Sequence, residues 1–398
     1  MQNSSPILYL EINELNFTFS VGANNEYNNF EIIYTLDVPI VGFENKRVAD
    51  FEKVFNVIKK NIYLIEQKIN FTFKEIIIIL ENFQPSFINL TGYKNLNGTQ
   101  ILRENITYII NTLKSCVYQS EPNKKILHIF NSKFYLDNKK IENLPIGLFG
   151  ESYSHELSFI TMRSSDLKNL ENIFEKCNLK IKKVLLKSFI DGAKISDEFK
   201  KVDTFFNIKC KEKTSKIFYF ENDSLKFEQD FNFGTNIIIQ DISKITSLNK
   251  DTIKIILNEI QFNKNNNEDE FIDKEFFNGD NYRKIKKNLI YEIATARIRE
   301  IFELMIFKNI NLEHYVRSSK NIFFELNSDY KPESLKEMMK NSLELLSNSE
   351  IKLITEISSK SMLSTAFKLV HFGWKKEAIP ITYSKKSIIR RFFDTIFG

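Results

Sequence analysis

Cysteine and histidine are scarce in this chain of 398 residues, and their scarcity excludes two classes of site. The three cysteines, Cys116, Cys177 and Cys210, are odd in number and far apart, so a disulfide framework is not indicated. The four histidines are scattered along the chain and give no zinc-ligand spacing. The net charge of +5 is mild, and no long basic stripe precedes the C-terminal tail. Nucleic acid is therefore not an expected partner.

Long hydrophobic runs are also missing. The longest strongly apolar run, Ile76–Leu80, has the size of a strand, whereas a membrane-spanning helix takes about 20 residues. The first residues, MQNSSPILYLEINELN, lack a basic start and a long apolar core, so a signal peptide is not expected. Hydrophobic residues make up 42% of the sequence, enough to fill cores in two lobes. We expect a globular, cytoplasmic body.

The segment Lys385–Gly398, KKSIIRRFFDTIFG, has the pattern of an amphipathic helix. Six apolar residues recur on one helical face: Ile388, Ile389, Phe392, Phe393, Ile396 and Phe397. Four basic residues accompany them: Lys385, Lys386, Arg390 and Arg391. The pattern fits a helix lying in a membrane surface, and it equally fits a terminal helix packed on its own domain. The clustering of Arg and Phe at the end favours the membrane, with anionic lipids as the partner.

Along the rest of the chain, the hydrophobic periodicity predicts strands and helices in alternation. Strands are predicted at 7–10, 17–21, 31–37, 74–80, 126–136, 157–162, 184–186, 205–208, 217–220 and 227–231. Helices are predicted at 51–69, 106–117, 166–177, 288–307 and 332–346. The stretches 85–98 and 263–271 are polar and are predicted to be loops. This order of elements indicates an α/β protein.

The order and several motifs resemble a known family, the bacterial cell-division actin homologue FtsA. The stretch Ile126–Thr161 resembles the end of the family's inserted subdomain, with Asp137 at a turn and a P-I-G-x-x-G motif beginning at Pro145. Glu221–Ile242 resembles a hairpin and turn of the second lobe, and Ala294–Leu304 resembles an R-x-x-E-I helix. The SIIRRFF tail resembles the family's membrane-targeting helix.

The resemblance implies a two-lobed actin/Hsp70-like (ribonuclease H-like) ATPase fold with an inserted 1C (SHS2) subdomain and a C-terminal amphipathic helix. We place the first lobe (1A) at 1–83 and 164–200 and the insert at 84–163. The remaining boundaries are 201–245 and 320–376 for subdomain 2A, 246–319 for subdomain 2B, 377–384 for a linker and 385–398 for the tail helix.

The resemblance also implies ATP with Mg²⁺ as cofactor, but the motifs depart from the family's pattern. Such a site needs glycines, which let backbone N–H groups approach phosphate, and acids that hold Mg²⁺. In the first hairpin Glu11 stands at the expected Asp and Asn13 at the expected Gly. In the second, KCKEKTSK places Lys209 and Lys216 at the acidic positions and Lys211–Lys213 at the glycines. We therefore expect nucleotide hydrolysis to be weak or lost.

Four further residues would complete a nucleotide site with Glu11 and Asn13: Thr214, Ser215, Gly234 and Asp241. Each has a structural alternative. Gly234 fits a turn, and Asp241 fits the N-cap of a following helix. The later T-G-G motif of the family is replaced by ELNSD, beginning at Glu325. An active ATPase of the same fold, using Thr214, Ser215, Gly234 and Asp241, remains an alternative.

For partners, the resemblance points to the C-terminal tail of FtsZ, the tubulin-like ring protein. Arg297 and Glu300 lie one helical turn apart and are predicted to contact it, with help from the basic run 283–287. The alternative is a solvated i,i+3 pair.

The implied function is an adaptor that tethers FtsZ filaments to the cytoplasmic face of the inner membrane at the division site. Self-association into short filaments and contacts with other divisome proteins would go with it. A related actin-like protein of pilus assembly is a second alternative.

Overall fold

The computed structural model describes residues 5–25, 29–81, 83–262, 270–277, 280–316, 321–326, 333–347 and 349–378. It divides into two compact units, Met1–Ile190 with Lys360–Gly398, and Asp191–Ser359. The strands are β1 (Ile7–Ile12), β2 (Asn16–Asn24), β3 (Phe30–Pro39), β4 (Phe43–Glu44), β5 (Arg47–Val48), β6 (Glu75–Leu80), β7 (Ser86–Asn95), β8 (Lys124–Leu136), β9 (Lys139–Ile141), β10 (Ser152–Arg163), β11 (Lys180–Leu186), β12 (Phe205–Cys210), β13 (Ser215–Glu221), β14 (Ser224–Phe231), β15 (Asn321–Leu326) and β16 (Glu350–Leu353).

The helices are α1 (Phe51–Ile69), α2 (Arg103–Ser120), α3 (Ser164–Lys176), α4 (Lys187–Glu198), α5 (Asn236–Thr246), α6 (Lys250–Glu259), α7 (Lys287–Phe302), α8 (Glu313–Val316), α9 (Glu333–Leu346) and α10 (Ser359–His371). A π-helical turn, Glu303–Phe307, follows α7, and short 3₁₀ turns lie at Lys274–Phe276 and Ile310–Leu312. No helix in the described part of the chain is both long and apolar enough to cross a bilayer.

The first unit is built on a five-stranded sheet in the order β11-β6-β1-β2-β3. The strands β1, β2 and β3 form an antiparallel meander, and β6 and β11 add in parallel beside β1. The strand β6, which lies between β11 and β1, is buried from Ile76 to Leu80, as its unbroken apolar run predicts. Helix α1 begins after Asp50, whose side chain accepts the N–H of Lys53, and ends at Asn70 in the left-handed conformation.

A second sheet of the first unit has the antiparallel order β7-β10-β8-β9. Its apolar face packs with Ile106, Ile109, Leu113 and Val117 of α2. This sheet lies within the range 84–163 that the sequence assigns to the inserted subdomain. The prediction of a loop at 85–98 is wrong, because Ser86–Asn95 forms β7. That strand is only half-buried and pairs with β10 alone, so it lacks the hydrophobic pattern of a core strand.

The second unit repeats the arrangement of the first. Its five-stranded sheet has the order β14-β13-β12-β15-β16, in which β12, β13 and β14 are an antiparallel meander and β15 and β16 add in parallel. Helices α5, α6, α7 and α9 supply much of its core. The repeated strand order confirms the predicted α/β fold of the actin/Hsp70 (ribonuclease H-like) type.

Two boundaries differ from those drawn on the sequence. The change of unit falls inside α4, between Ile190 and Asp191. Helix α10 lies in the range assigned to the second lobe, whereas it groups with the first unit, where Phe367 packs on Phe30 at 5.7 Å between ring centroids. The linker from 379 onward and the tail 385–398 lie outside the described residues.

Candidate functional site

The repeated strand order places two charged clusters at equivalent positions in the two sheets. Glu11 is the fifth of six residues in β1, and Lys209 is the fifth of six in β12. Each lies near the carboxyl end of the strand that has a parallel neighbour on one side and a hairpin on the other. In open α/β sheets, such strand ends are where ligands bind. Glu11 and Lys209, which the sequence analysis singled out, therefore both lie where a ligand would be expected.

In the first unit, Glu11 is buried and is paired with a lysine that the sequence did not indicate. Lys187 lies one residue after β11 and donates to Glu11 Oε1 at 2.6 Å. The same ammonium donates to Glu81 Oε2 at 2.9 Å, and Glu81 directly follows β6. The side chains of Glu11, Glu81 and Lys187 thus meet at the carboxyl ends of three neighbouring parallel strands, β1, β6 and β11. The ammonium group lies where two carboxylates converge.

The turn of the first hairpin is closed by the side chain of Asn13. Its Oδ1 accepts the N–H of Leu15 at 2.9 Å and that of Asn16 at 2.7 Å. Its own N–H donates to the carbonyl of Asn16 at 3.1 Å. This is the Asx-turn behaviour of asparagine, in which the side chain stands in for a backbone acceptor. These three N–H groups are therefore engaged within the turn.

In the second unit, Lys209 is the cation of a buried cluster. Its Nζ donates to Asp191 Oδ2 at 2.7 Å and lies 3.3 Å from Glu325 Oε2. Glu325 is the partner of Lys209 in the parallel register of β12 and β15 and is fully buried. Burial of a carboxylate is very costly without a paired cation, so Lys209 is needed by both acids.

The second hairpin is closed by the start of α5. The carbonyls of Lys211 and Glu212 accept the N–H groups of Thr235 and Asn236 at 3.1 and 2.9 Å. This contact requires glycine at 234, since a Cβ there would lie 2.2 Å from the Lys211 carbonyl oxygen. The hairpin loop therefore takes up N–H groups at the start of a helix, where an anion would otherwise bind.

The two residues predicted from KCKEKTSK for a nucleotide site have local roles in the hairpin. The carbonyl of Thr214 accepts the N–H of Lys211 at 2.9 Å. Ser215 donates its hydroxyl to the carbonyl of Phe233 at 2.8 Å. Lys216, the next residue, lies 3.2 Å from Asp230 and 3.5 Å from Glu228 on β14.

The groups at the strand ends of each unit do not meet the requirements of Mg²⁺ and phosphate. A phosphate hairpin needs N–H groups directed outward, whereas Asn13, Leu15 and Asn16 use theirs within the first hairpin and Lys211 uses its own within the second. A hydrated Mg²⁺ needs uncompensated carboxylates, and the acids at both strand ends converge on a lysine. The residues present at these positions therefore do not fit ATP with Mg²⁺.

The remaining predicted residues, Asp241, Arg297 and Glu300, form one network. Asp241 lies inside α5, not at the N-cap considered for it, because the helix begins at Asn236. Its carboxylate accepts from Nε of Arg297 on α7, and Arg297 Nη1 donates to Glu300 one turn further along. The hydrogen bond that Arg297 donates to Asp241 raises the pKa of Arg297. The guanidinium is thus shared between two carboxylates of its own unit.

A groove of about 510 Å³ lies beside this network, between the end of α5 and the start of α7. Ile245 and Leu289 expose apolar surface there, and the basic residues Arg283, Lys284 and Lys286 line it. Arg283 donates to the carbonyl of Ser247 at 2.8 Å, which fixes the direction of its stem. The basic run was visible in the sequence, but the exposure of Ile245 and Leu289 was not. The groove thus has three basic residues against one acidic residue, Glu292, together with exposed apolar surface.

Comparison with known proteins gives low-identity relatives of one name. No family model matches the chain. Over 175 residues it is 29% identical to the cell division protein FtsA of Buchnera aphidicola subsp. Baizongia pistaciae, covering 44% of this chain and 41% of that protein. A match to FtsA of Buchnera aphidicola subsp. Acyrthosiphon pisum is 20% identical over 394 residues, covering 92% and 91%. This chain is similar to FtsA.

The extent of the match varies between relatives. FtsA of Buchnera aphidicola subsp. Schizaphis graminum is matched over 63% of its length, at 21% identity. The similar solved structures are more distant. A PilM-PilN type IV pilus biogenesis complex has a TM-score of 0.47 at 10% identity, covering 92% of this chain and 95% of that one. MreB5 of Spiroplasma citri bound to ADP has a TM-score of 0.44 at 10% identity, covering 92% and 95%.

Proposed function

We propose that this protein is an FtsA-like cell-division adaptor that links FtsZ filaments to the cytoplasmic face of the inner membrane and helps recruit other divisome proteins. The observation that carries the proposal is the similarity to relatives named FtsA, one of which is matched over 92% of this chain. The motifs in Ile126–Thr161 and Glu221–Ile242 support it, and so does the repeated sheet topology. Because the strand ends are closed by lysines, the proposed role is binding and not ATP turnover.

The membrane contact is assigned to the amphipathic segment 385–398, which lies outside the described residues. Six apolar side chains at roughly 1.5–3 kcal/mol each set an upper bound on its burial free energy. Lys385, Lys386, Arg390 and Arg391 would each add about 1 kcal/mol at an anionic surface. One such helix binds reversibly. Self-association into short filaments would link many of them and raise the overall avidity without any new contact.

The FtsZ contact is assigned to the groove beside Ile245 and Leu289. An acidic peptide with apolar residues matches the excess of basic over acidic residues in its lining and its exposed apolar surface. Ile245 lies one helical turn beyond Asp241 on α5, so the groove runs toward Arg297 and Glu300. We therefore place Arg297 and Glu300 at the far edge of the proposed partner site. Because Arg297 is already shared by Asp241 and Glu300, we assign the main charge contact to Arg283 and Lys284.

The test is pelleting of FtsZ filaments with vesicles of mixed neutral and anionic phospholipid. The full chain should bring FtsZ down with the vesicles. A chain ending at Ser384 should still bind FtsZ but leave it in the supernatant. The double variant Arg283→Glu, Lys284→Glu should pellet alone, without FtsZ. We expect Arg297→Glu to weaken FtsZ binding by about fivefold, because an internal pair must be broken as well.

The matched control is Lys250→Glu, Lys254→Glu, a double charge reversal on α6 of the same unit. It should leave FtsZ pelleting unchanged. Equal pelleting of FtsZ by the full chain and by the chain ending at Ser384 would contradict the membrane assignment. Full FtsZ binding by the Arg283→Glu, Lys284→Glu variant would contradict the groove.

A further inference from the structure

The chain after α10 returns to the inserted sheet and adds to its edge. Gly373 has φ of +75°, a left-handed conformation that lets the chain turn away from the end of the helix. The N–H of Asn131 on β8 then donates to the carbonyl of Lys376 at 2.7 Å. The N–H of Ala378 donates to the carbonyl of Ile129 at 2.8 Å. Residues 376–378 therefore pair with β8 in the manner of a short antiparallel strand.

The first and last side chains of this segment, Trp374 and Ala378, are buried, whereas Lys375 between them is exposed. Ala378 is 3% exposed and belongs to the core beneath the inserted sheet. Trp374 is mostly buried and packs edge-on against Phe189, with ring centroids 6.2 Å apart. Phe189 also packs on Phe130, the residue of β8 that faces Glu377. The segment Trp374–Ala378 is thus fixed by packing as well as by backbone pairing.

One carboxylate joins this segment to two different sheets. Glu377 Oε1 lies 3.2 Å from Nδ1 of His128 on β8, and Oε2 accepts from Nζ of Lys183 on β11 at 2.8 Å. Burial alone would raise the pKa of Glu377, but the hydrogen bond from His128 and the charge of Lys183 outweigh it and hold that pKa below its usual value. His128 is wholly buried, and desolvation lowers its pKa. A neutral His128 can therefore donate to an ionised Glu377.

We propose that Trp374–Ala378 is a strap that fixes the start of the following tail to the inserted sheet, with Glu377 as its lock. The strap covers the part of the β8 edge that β9 leaves open, since β9 pairs only with Phe134–Leu136. A force applied to the tail would therefore be borne by the contacts to β8 and β11 and not by the end of α10. Opening the lock would free five residues, adding about 17 Å of reach at about 3.4 Å each. The existence of the strap does not depend on the proposed function. Only the assumption that a force acts on the tail rests on the proposed membrane attachment.

The strap is tested by hydrogen exchange of the two amides that it engages, those of Asn131 and Ala378, in the full chain. Glu377→Ala and Lys183→Met should each speed their exchange by about tenfold or more, because a charge-assisted contact to a buried group is lost. The matched control is Lys182→Met, the neighbouring lysine of β11, which pairs with Glu75 at 3.1 Å. It should leave both amides as protected as in the parent chain.

Glu377→Gln is a more conservative substitution, which keeps the size of the side chain and removes its charge. It should show the same acceleration, while the amides of β12 in the second unit stay unchanged. Parent-like protection of Asn131 and Ala378 in both Glu377 variants would overturn the lock. A chain ending at Ser384 should keep the strap protected, whether or not the tail binds membranes, so this result is independent of the proposed function.

Discussion

The two five-stranded sheets have the same strand order but carry opposite charges at the same place. On β1 the fifth residue is the acid Glu11, and the cation, Lys187, comes from the end of β11. On β12 the fifth residue is the cation Lys209, and the acids come from α4 and β15. Both clusters nevertheless contain one ammonium between two carboxylates. The charges at these strand ends are therefore compensated within each unit, although the central strand supplies the acid in the first unit and the cation in the second.

The hairpins beside these clusters are likewise closed by different residues in the two units. The first is closed by a side chain, Asn13, and the second by backbone groups at the start of α5, brought close by Gly234. In the strands that follow, Thr18 donates to Asp37 at 2.6 Å, and the equivalent Lys216 lies 3.2 Å from Asp230. Different residues thus satisfy the same positions. In both units these positions are occupied by internal contacts.

The largest expected difference between the units comes from removing the lysines. Lys209→Met should destabilise the second unit by about 3–5 kcal/mol, because it leaves Asp191 and Glu325 buried without a cation. Urea unfolding followed by hydrogen exchange of β12 amides measures this effect. Lys194→Met is the control, since its pair with Glu198 is a more exposed i,i+4 contact worth under about 0.5 kcal/mol. A loss of unfolding free energy below about 1 kcal/mol for Lys209→Met would show that Asp191 and Glu325 do not depend on this lysine.

The same change in the first unit should cost less. Lys187 is 24% exposed and Lys209 is 11% exposed, so water can compensate more of the charge left on Glu11 and Glu81. We expect Lys187→Met to destabilise the first unit by about 2 kcal/mol. The single tryptophan, Trp374, reports on this unit alone, so its fluorescence in urea gives the midpoint. A cost greater than that of Lys209→Met would reverse the ranking.

A smaller difference is expected on acidification, because buried histidines lie in the first unit. Burial lowers the pKa of His155 from 6.5 to about 4. Between these values the unfolded chain binds a proton that the folded unit excludes, so stability is complete above pH 6.5 and falls toward pH 4. From pH 7 to 5.5 the loss of unfolding free energy from His155 should be about 1.2 kcal/mol.

The variant His155→Gln should remove that part of the pH dependence of the Trp374 midpoint. His314, which is exposed in the second unit, offers the matched control His314→Gln. The control should leave the slope unchanged. An unchanged slope in His155→Gln would show that His155 is hydrated in the folded protein.

Local features of this fold were predictable, and long-range pairings were not. Strand β6 is predicted by the apolar run Ile76–Leu80, and helix α1 by the helical period of 51–69. Both predictions are possible because the pattern of buried residues in a strand or helix repeats over a few neighbouring residues. The i,i+3 spacing of Arg297 and Glu300 predicts their contact. Their third partner, Asp241, is 56 residues from Arg297 and has no such signal.

The candidate site shows the same limit. The sequence indicated Glu11, Asn13 and Lys209 as departures from a phosphate site. The partners that explain them came only with the structure, since Lys187 is 176 residues from Glu11 and Asp191 lies on a helix that was not predicted. A charged residue after an apolar run, as at Glu81 and Lys187, was the one available signal. It marks a strand end but not the partner across the sheet.

The most direct test of the central claim is release of phosphate from ATP by the purified full chain, with and without Mg²⁺. We predict no Mg²⁺-dependent turnover, because Lys187 and Lys209 hold the carboxylates and the hairpin N–H groups of Asn13, Leu15, Asn16 and Lys211 are used internally. Calorimetric titration with ATP and Mg²⁺ should likewise show no Mg²⁺-dependent heat of binding. Mg²⁺-dependent turnover in the parent chain that is lost in the variant Glu11→Gln would contradict the account.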